Sequence, residues 1–153
     1  MKDKSPVKKI ISGGQTGADF GGLLAGKELG LETGGTAPLG FKTENGSNLE
    51  LKNFNLVESD SRFYNDRTTA NIKNSTGTIV FGNTNSIGSK STIAICKRLG
   101  KPYIVNPTKE AFLTWLAWNN IQTLNVAGNR ESVSPSICEK VRNFLVTAIK
   151  EIS

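Results

Sequence analysis

The sequence predicts an α/β fold: a three-layer arrangement with a mainly parallel sheet flanked by helices on both faces. Three observations predict it. Short apolar runs at 7–12, 76–81 and 123–126 alternate with stretches of helical spacing. The first two of these runs each stop at a glycine-rich turn that opens into a helix, at 12–17 and 82–88. Two of the helical stretches close on Gly30 and Gly100, a common C-terminal stop signal. Strand and helix alternating in this way give parallel strands covered on both sides.

The elements follow in order. A strand is expected over 7–12, a helix over 17–29 and a strand over 31–36. Residues 37–53, rich in Gly, Asn, Thr and Pro, read as one long loop, and long loops in small domains are often functional. A strand at 55–58 and a short helix at 64–74 come next. Thr76-Gly-Thr-Ile-Val-Phe81 has the continuous apolar character of a buried parallel strand. A helix over 89–99, a strand over 102–105, a helix over 109–118 and a strand over 123–126 complete the alternation. From 135 to 152 the apolar residues Ile137, Val141, Phe144, Leu145, Ala148, Ile149 and Ile152 keep helical spacing. The chain reads as one domain over 1–153, with no internal repeat and no low-complexity tract.

Composition narrows the chemistry. With 153 residues the chain can bury a substantial core. The sequence contains no histidine, which excludes Ser-His-Asp and Cys-His catalysis and leaves no expectation of a zinc site. The two cysteines, Cys96 and Cys138, fall on expected helices and fit buried small hydrophobes better than a disulfide or a metal pair. No stretch resembles a membrane span or a signal peptide, and residues 1–6 form a short polar lead, so a cytoplasmic protein is expected. The net charge of +6 favours anionic partners. The lysines are scattered and aromatic residues are few, so small anions are expected rather than nucleic acid.

Ligands of open parallel sheets bind at the carboxyl ends of the strands. Two turns there carry candidate residues. In Gly13-Gly14-Gln15-Thr16-Gly17, backbone amides and the start of a helix offer an anion cradle, with Gln15 and Thr16 as added donors. The segment matches neither the Walker loop nor the dinucleotide fingerprint. Asp19, in the first helical turn, either complements the helix dipole or accepts hydrogen bonds from a ligand. Gly88-Ser89-Lys90-Ser91-Thr92 opens the second helix: Ser89, Ser91 and Thr92 can donate to oxygens and Lys90 can neutralise charge, although serine also caps helices without any ligand.

Further candidates lie elsewhere. Arg67, Asn71 and Asn74 share one face of the 64–74 helix; such a stripe is usually a solvated face, yet Arg67 can grip a phosphate bidentately. Lys42 and Glu44 in the long loop either close over a ligand or are plain surface. Asn125 lies in the last strand and Arg130 just past its end, facing ligand or pairing with Glu131. Trp115 and Trp118 are expected to fill core or a subunit interface.

At these residues the chain resembles the molybdenum carrier family, within the wider group that includes DprA-like and Lonely-guy nucleotide-binding proteins. The matching stretches are Ser12-Gly-Gly-Gln-Thr-Gly-Ala-Asp19, Gly34-Gly-Thr-Ala-Pro-Leu-Gly40 with Glu44 and Gly46, Tyr64-Asn-Asp-Arg-Thr68 with Asn71, Gly100-Lys-Pro102, and Leu124-Asn-Val-Ala-Gly128 with Arg130-Glu-Ser132. Asn129 stands where that pattern leads one to expect proline, and the second turn lacks the usual Gly-Gly-Thr. The resemblance implies a Rossmann-like fold, a homo-oligomer (dimer or tetramer) and binding of molybdenum cofactor, a phosphorylated pterin. The Pro-Gly-Gly-x-Gly-Thr-x-x-Glu motif of Lonely-guy hydrolases is absent, so no catalytic glutamate carries over. A carrier that binds a phosphorylated ligand without catalysis is therefore expected. The alternatives are a nucleotide-processing hydrolase or transferase and a nucleotide-sensing module.

Overall fold

In the computed structural model, which describes residues 7–153, six parallel strands form one sheet. The elements are β1 (Lys9–Ser12), α1 (Ala18–Glu28), β2 (Glu32–Ala37), a small antiparallel hairpin of β3 (Lys42–Thr43) and β4 (Gly46–Ser47), β5 (Leu56–Glu58), α2 (Tyr64–Lys73), β6 (Gly77–Phe81), α3 (Ile87–Leu99), β7 (Tyr103–Val105), α4 (Lys109–Trp118), β8 (Thr123–Gly128) and α5 (Ile137–Ile152). The strand order is β5-β2-β1-β8-β6-β7. The chain works outward from β1 through β2 to β5, crosses to β6 and β7, and returns to insert β8 beside β1. The order of the sheet thus reverses at β1 and β8, and their carboxyl ends flank a crevice. The expected lead at 1–6 lies outside the described residues. No helix among the described residues is long and apolar enough to cross a membrane.

Alternation along the strands sorts side chains to two different faces. Ile10, Ile79, Phe81, Leu124 and Val126 pack with α1, α4 and α5, where Phe112, Leu116, Val141, Leu145 and Ile149 are almost wholly buried. Burial of each such side chain is worth about 1.5–3 kcal/mol. The face beneath α2 and α3 has a smaller apolar cluster, Ile72, Ile95 and Cys96, with Ile11 and Val80 of the strands, and is interspersed with polar groups: Thr78, Ser89, Thr92 and Asn125 are all buried. Buried polar groups need partners, and Asn125 Nδ2 donates to Thr78 Oγ1 at 3.2 Å. This polar half of the interior opens into the functional site.

The expected elements are present, with three differences. The long loop at 37–53 contains the β3–β4 hairpin and 3₁₀ turns at Leu39–Phe41 and Leu49–Phe54, because Phe41, Leu51 and Phe54 bury themselves against Leu23 and Leu56. Helix α3 begins at Ile87, two residues earlier than expected, because Ser86, not Ser89, caps it by accepting the Ser89 amide at 3.2 Å. The face of Arg67 and Asn71 is buried rather than solvated, both being less than a tenth exposed. Trp115 is half-buried against the core, stacked on Phe112, whereas Trp118 is exposed. Cys96 and Cys138 are free thiols.

Strand β2 changes partner midway. Residues 32–34 pair with β1 and residues 35–37 with β5. At the changeover Gly35 has φ +127°, and a Cβ there would lie 2.1 Å from the Ser12 carbonyl oxygen. Beyond the end of β1 the side chain of Asn71 stands in for the missing strand. Thr36 N–H donates to Asn71 Oδ1 at 2.8 Å, and Asn71 Nδ2 donates to the Thr36 carbonyl at 3.0 Å. That double bond fixes α2 over the end of the sheet. Gly35→Ala combines a left-handed backbone with a clash against main chain, and is expected to destabilise the fold by about 2–4 kcal/mol. Urea unfolding midpoints of the two proteins check this; an unchanged midpoint contradicts it.

Candidate functional site

In the first glycine turn the amides of Gly13 to Thr16 are satisfied internally, and the anion in its cradle belongs to the chain. Gln15 N–H donates to Asp19 Oδ2 at 3.1 Å, and the Gly13 amide also hydrogen-bonds the Asp19 carboxyl. Gly14 N–H donates to Ser12 Oγ at 3.3 Å, Thr16 N–H to Gln15 Oε1 at 3.0 Å and Ala18 N–H to the Asn129 carbonyl at 3.0 Å. The expectation of an external anion held by this turn is corrected: the carboxylate of Asp19 does that work. Gly14 faces Leu51 and Leu56, and Gly17 lies against the Asn129 carbonyl, so neither looks into the crevice.

Asp19 is buried, and burial pushes its carboxyl from an ordinary 3.8 up to about 6. The Arg67 guanidinium and the amides of Gln15 and Gly13 act in the opposite direction and only partly offset desolvation. Arg67 lies across Gly13: a Cβ on that glycine would sit 2.0 Å from Arg67 Nη1 and 3.0 Å from Asp19 Oδ2. The absence of a side chain at Gly13 therefore makes room for the guanidinium. Tyr64, one helical turn earlier on α2, places its ring 4.6 Å from the guanidinium carbon. Arg67 is 7% exposed, yet among the described residues it makes no side-chain hydrogen bond and no ion pair within 4 Å. A buried cation that meets only a ring face and a carboxylate beyond ion-pair distance keeps its hydrogen-bond donors for an anion.

This guanidinium looks into a cavity of about 360 Å³ at the reversal point of the sheet. Its floor is the end of β8, Asn125 to Gly128; its walls are Gly13, Gln15 and Asp19 on one side and Ser86, Ile87, Gly88 and Thr92 of the α3 start on the other; α2 closes it with Tyr64, Arg67, Thr68 and Asn71. The first amides of α3 have no partner within the helix, so Gly88 adds a donor and the positive end of a dipole. A Cβ on Gly88 would come 2.9 Å from the Tyr64 hydroxyl, which shows how closely α2 approaches α3 here.

Of the residues expected to bind, Gly13, Gln15, Asp19, Arg67, Asn71, Gly88, Thr92, Asn125 and Arg130 line this cavity. Lys90 is exposed, Ser89 is buried with an unpartnered hydroxyl, and neither they nor Ser91 lines it, because the early start of α3 rotates them away. Asn71 is largely committed to β2. Thr16 and Glu44 also have a different role. Glu44 accepts hydrogen bonds from the hydroxyls of Thr16 and Ser132 and from the Ser132 amide, and its Oε1 is 3.7 Å from Arg130 Nε. Those hydrogen bonds, foremost from the Ser132 and Thr16 hydroxyls, hold the Glu44 carboxyl below its ordinary value. Glu44 thereby ties the β3–β4 hairpin to the turns after β1 and β8. Gln15 Oε1 reinforces the tie by accepting the Glu44 amide at 2.9 Å.

Tyr64, Thr68, Ser86, Ile87, Val126 to Asn129 and Val133 also line the cavity and lie outside the expected set. Asn129 is buried and bonds the Asn83 amide and carbonyl and the hydroxyls of Ser86 and Ser134, fastening the α3 start to the end of β8. Its signal was its departure from the expected proline. Tyr64 was legible as the residue one helical turn before Arg67. Val133 lines the mouth and had no local signal.

The sequence model of the circularly permutated YpsA SLOG family matches residues 10–149. The chain belongs to this family. A crystal structure of the "putative molybdenum carrier protein" from Syntrophus aciditrophicus SB superposes with a TM-score of 0.88 at 29% identity, over 96% of this chain and 97% of that one. No functionally curated protein matches the chain. These likenesses agree with the Rossmann-like layers and with the molybdenum carrier resemblance.

Two titrations follow from the geometry. Because the folded Asp19 binds its proton more tightly than the unfolded chain, this group favours the fold below about pH 4, and its contribution is lost as pH rises through about 6. The loss amounts to roughly 3 kcal/mol, most of it between pH 4 and pH 7, so Asp19→Asn is expected to flatten the fall in stability between pH 4 and pH 7.5. Urea midpoints at the two pH values read this directly; an identical slope in the variant contradicts it. The Glu44 carboxyl has the opposite sign: its contribution is present above its ordinary 4.5 and is lost as pH falls through its lowered value. Hydrogen exchange at the Ser132 amide is expected to accelerate in Glu44→Gln at neutral pH; unchanged protection contradicts the tie.

Proposed function

We propose that the chain binds a small phosphorylated molecule in the 360 Å³ cavity, with molybdenum cofactor as the named candidate, and carries it rather than transforming it. The single observation that supports this most is Arg67, a buried guanidinium without a hydrogen-bonded anion of its own, facing the α3 start. The phosphate sits between Arg67 and the Gly88 amide, charge-assisted from both sides. The heterocycle lies over Val126 and Ala127, with Asn125 and Thr92 as polar contacts and Tyr64, Ile87 and Val133 as apolar walls. The cavity volume suits a ligand of pterin or nucleotide size, and its donors suit a phosphate. The family resemblance adds a homo-oligomer to this reading.

A second reading, hydrolysis of a nucleotide-like molecule, draws on one observation. Asp19 lines the cavity with a carboxyl that exchanges its proton near pH 6, within the useful range for general acid–base chemistry. Product release from a nucleotide panel, abolished in Asp19→Asn, favours it; no turnover across the panel leaves binding alone.

The carrier reading is tested by titrating purified protein with molybdenum cofactor and with free nucleotides. Cofactor binding is expected, and Arg67→Ala is expected to weaken it about a hundred-fold, the scale of a lost charge-assisted pair. Tight nucleotide binding with no pterin binding rejects the carrier assignment. Equal affinity in the variant rejects the role of Arg67.

A further inference from the structure

A second cavity, of about 280 Å³, adjoins the first. The two share Gln15, Tyr64, Arg67 and Arg130 as a common wall. The second is bounded by the β3–β4 hairpin on one side and by residues 61–64 at the α2 start on the other. Its charge is lopsided. Lys42, Arg62, Arg67 and Arg130 line it against one carboxylate, Glu44. That carboxylate is already occupied by Thr16, Ser132 and Arg130. Neither Lys42 nor Arg62 has an ion-pair partner among the described residues. Two of the four cations, the exposed Lys42 and Arg62, thus bring positive charge to the cavity that no carboxylate pairs, and an anion entering it meets that charge. Arg67 is the hinge of the arrangement: its buried guanidinium borders both cavities, so an anion gripped by it has room to continue on the far side.

We infer that the second cavity is a subsite for a further anionic group of the same ligand, so that the protein prefers a diphosphate or pyrophosphate-linked molecule over its monophosphate. This rests on the proposed function, since it takes the first cavity as the seat of the ligand body. The first phosphate lies at Arg67 and Gly88. The second passes Arg67 and meets Arg130, Lys42 and Arg62. The subsite is formed by the segment held by Glu44, so the Glu44 tie also preserves its shape.

Calorimetric titration with GMP and GDP at fixed ionic strength tests this, guanine offering an amino-pyrimidinone edge of the pterin kind. Wild-type protein is expected to bind GDP at least about ten-fold more tightly than GMP, the gain of one further charge-assisted contact. In Lys42→Ala/Arg62→Ala that ratio falls towards one, and in Arg62→Glu it inverts. Both substitutions are on exposed side chains, and melting curves confirm that the variants are folded. Equal affinity of wild type for GMP and GDP overturns the second subsite while leaving the first intact, as does a ratio unmoved by the substitutions. Binding of neither nucleotide, together with failure to bind molybdenum cofactor, overturns the anion-binding reading of the first cavity and takes this inference with it.

Discussion

The site depends on a carboxylate placed where a ligand would otherwise go. Asp19 fills the cradle made by the Gly13 and Gln15 amides and meets the Arg67 guanidinium across Gly13. This internal anion has two effects. It completes the turn between β1 and α1 without a ligand, so the fold does not need a bound molecule to satisfy its backbone. It also attracts Arg67 into the interior, yet the two form no ion pair within 4 Å, so the guanidinium keeps its donors free. The remaining positive potential is directed at the α3 start, where a helix dipole of the same sign waits for an anion.

The surrounding structure holds that pair in place. Asn71 takes over the hydrogen bonds of β2 where β1 ends, and so fixes α2, the helix that carries Tyr64 and Arg67. Asn129 fastens the α3 start to β8, and Glu44 binds the hairpin to the turns after β1 and β8. Each of these polar residues was a plausible ligand contact by type. In the fold they act mainly as positioning groups, spending their capacity on backbone. The free donors that remain are few, and they converge on two adjoining cavities.

Much of the fold was legible where apolar runs are unbroken, as in β6, and where helices carry clear spacing or stop signals. Phe81 stops at glycine, α5 keeps helical spacing for its whole length, and Gly100 takes the left-handed conformation that closes α3. The hairpin and 3₁₀ turns in residues 37–53 were not legible, because their apolar residues are isolated and gain burial only through distant partners such as Leu23. At the site, residue type pointed to the right corner of the sheet but not to orientation. A start of α3 two residues early was enough to turn Lys90 and Ser91 away from the cavity. The burial of Arg67 was likewise invisible locally, since a polar face on an isolated helix looks the same whether it meets solvent or a polar interior. The SLOG family match and the structural likeness at 29% identity confirm the architecture and the family.

The most direct measurement of the central claim is a crystal structure of the protein with GMP bound. The account predicts the phosphate within hydrogen-bond distance of both the Arg67 guanidinium and the Gly88 amide, with Asp19 still accepting from Gly13 and Gln15. A phosphate seated on the Gly13–Gly17 turn, with the Asp19 side chain swung out to make way, contradicts it.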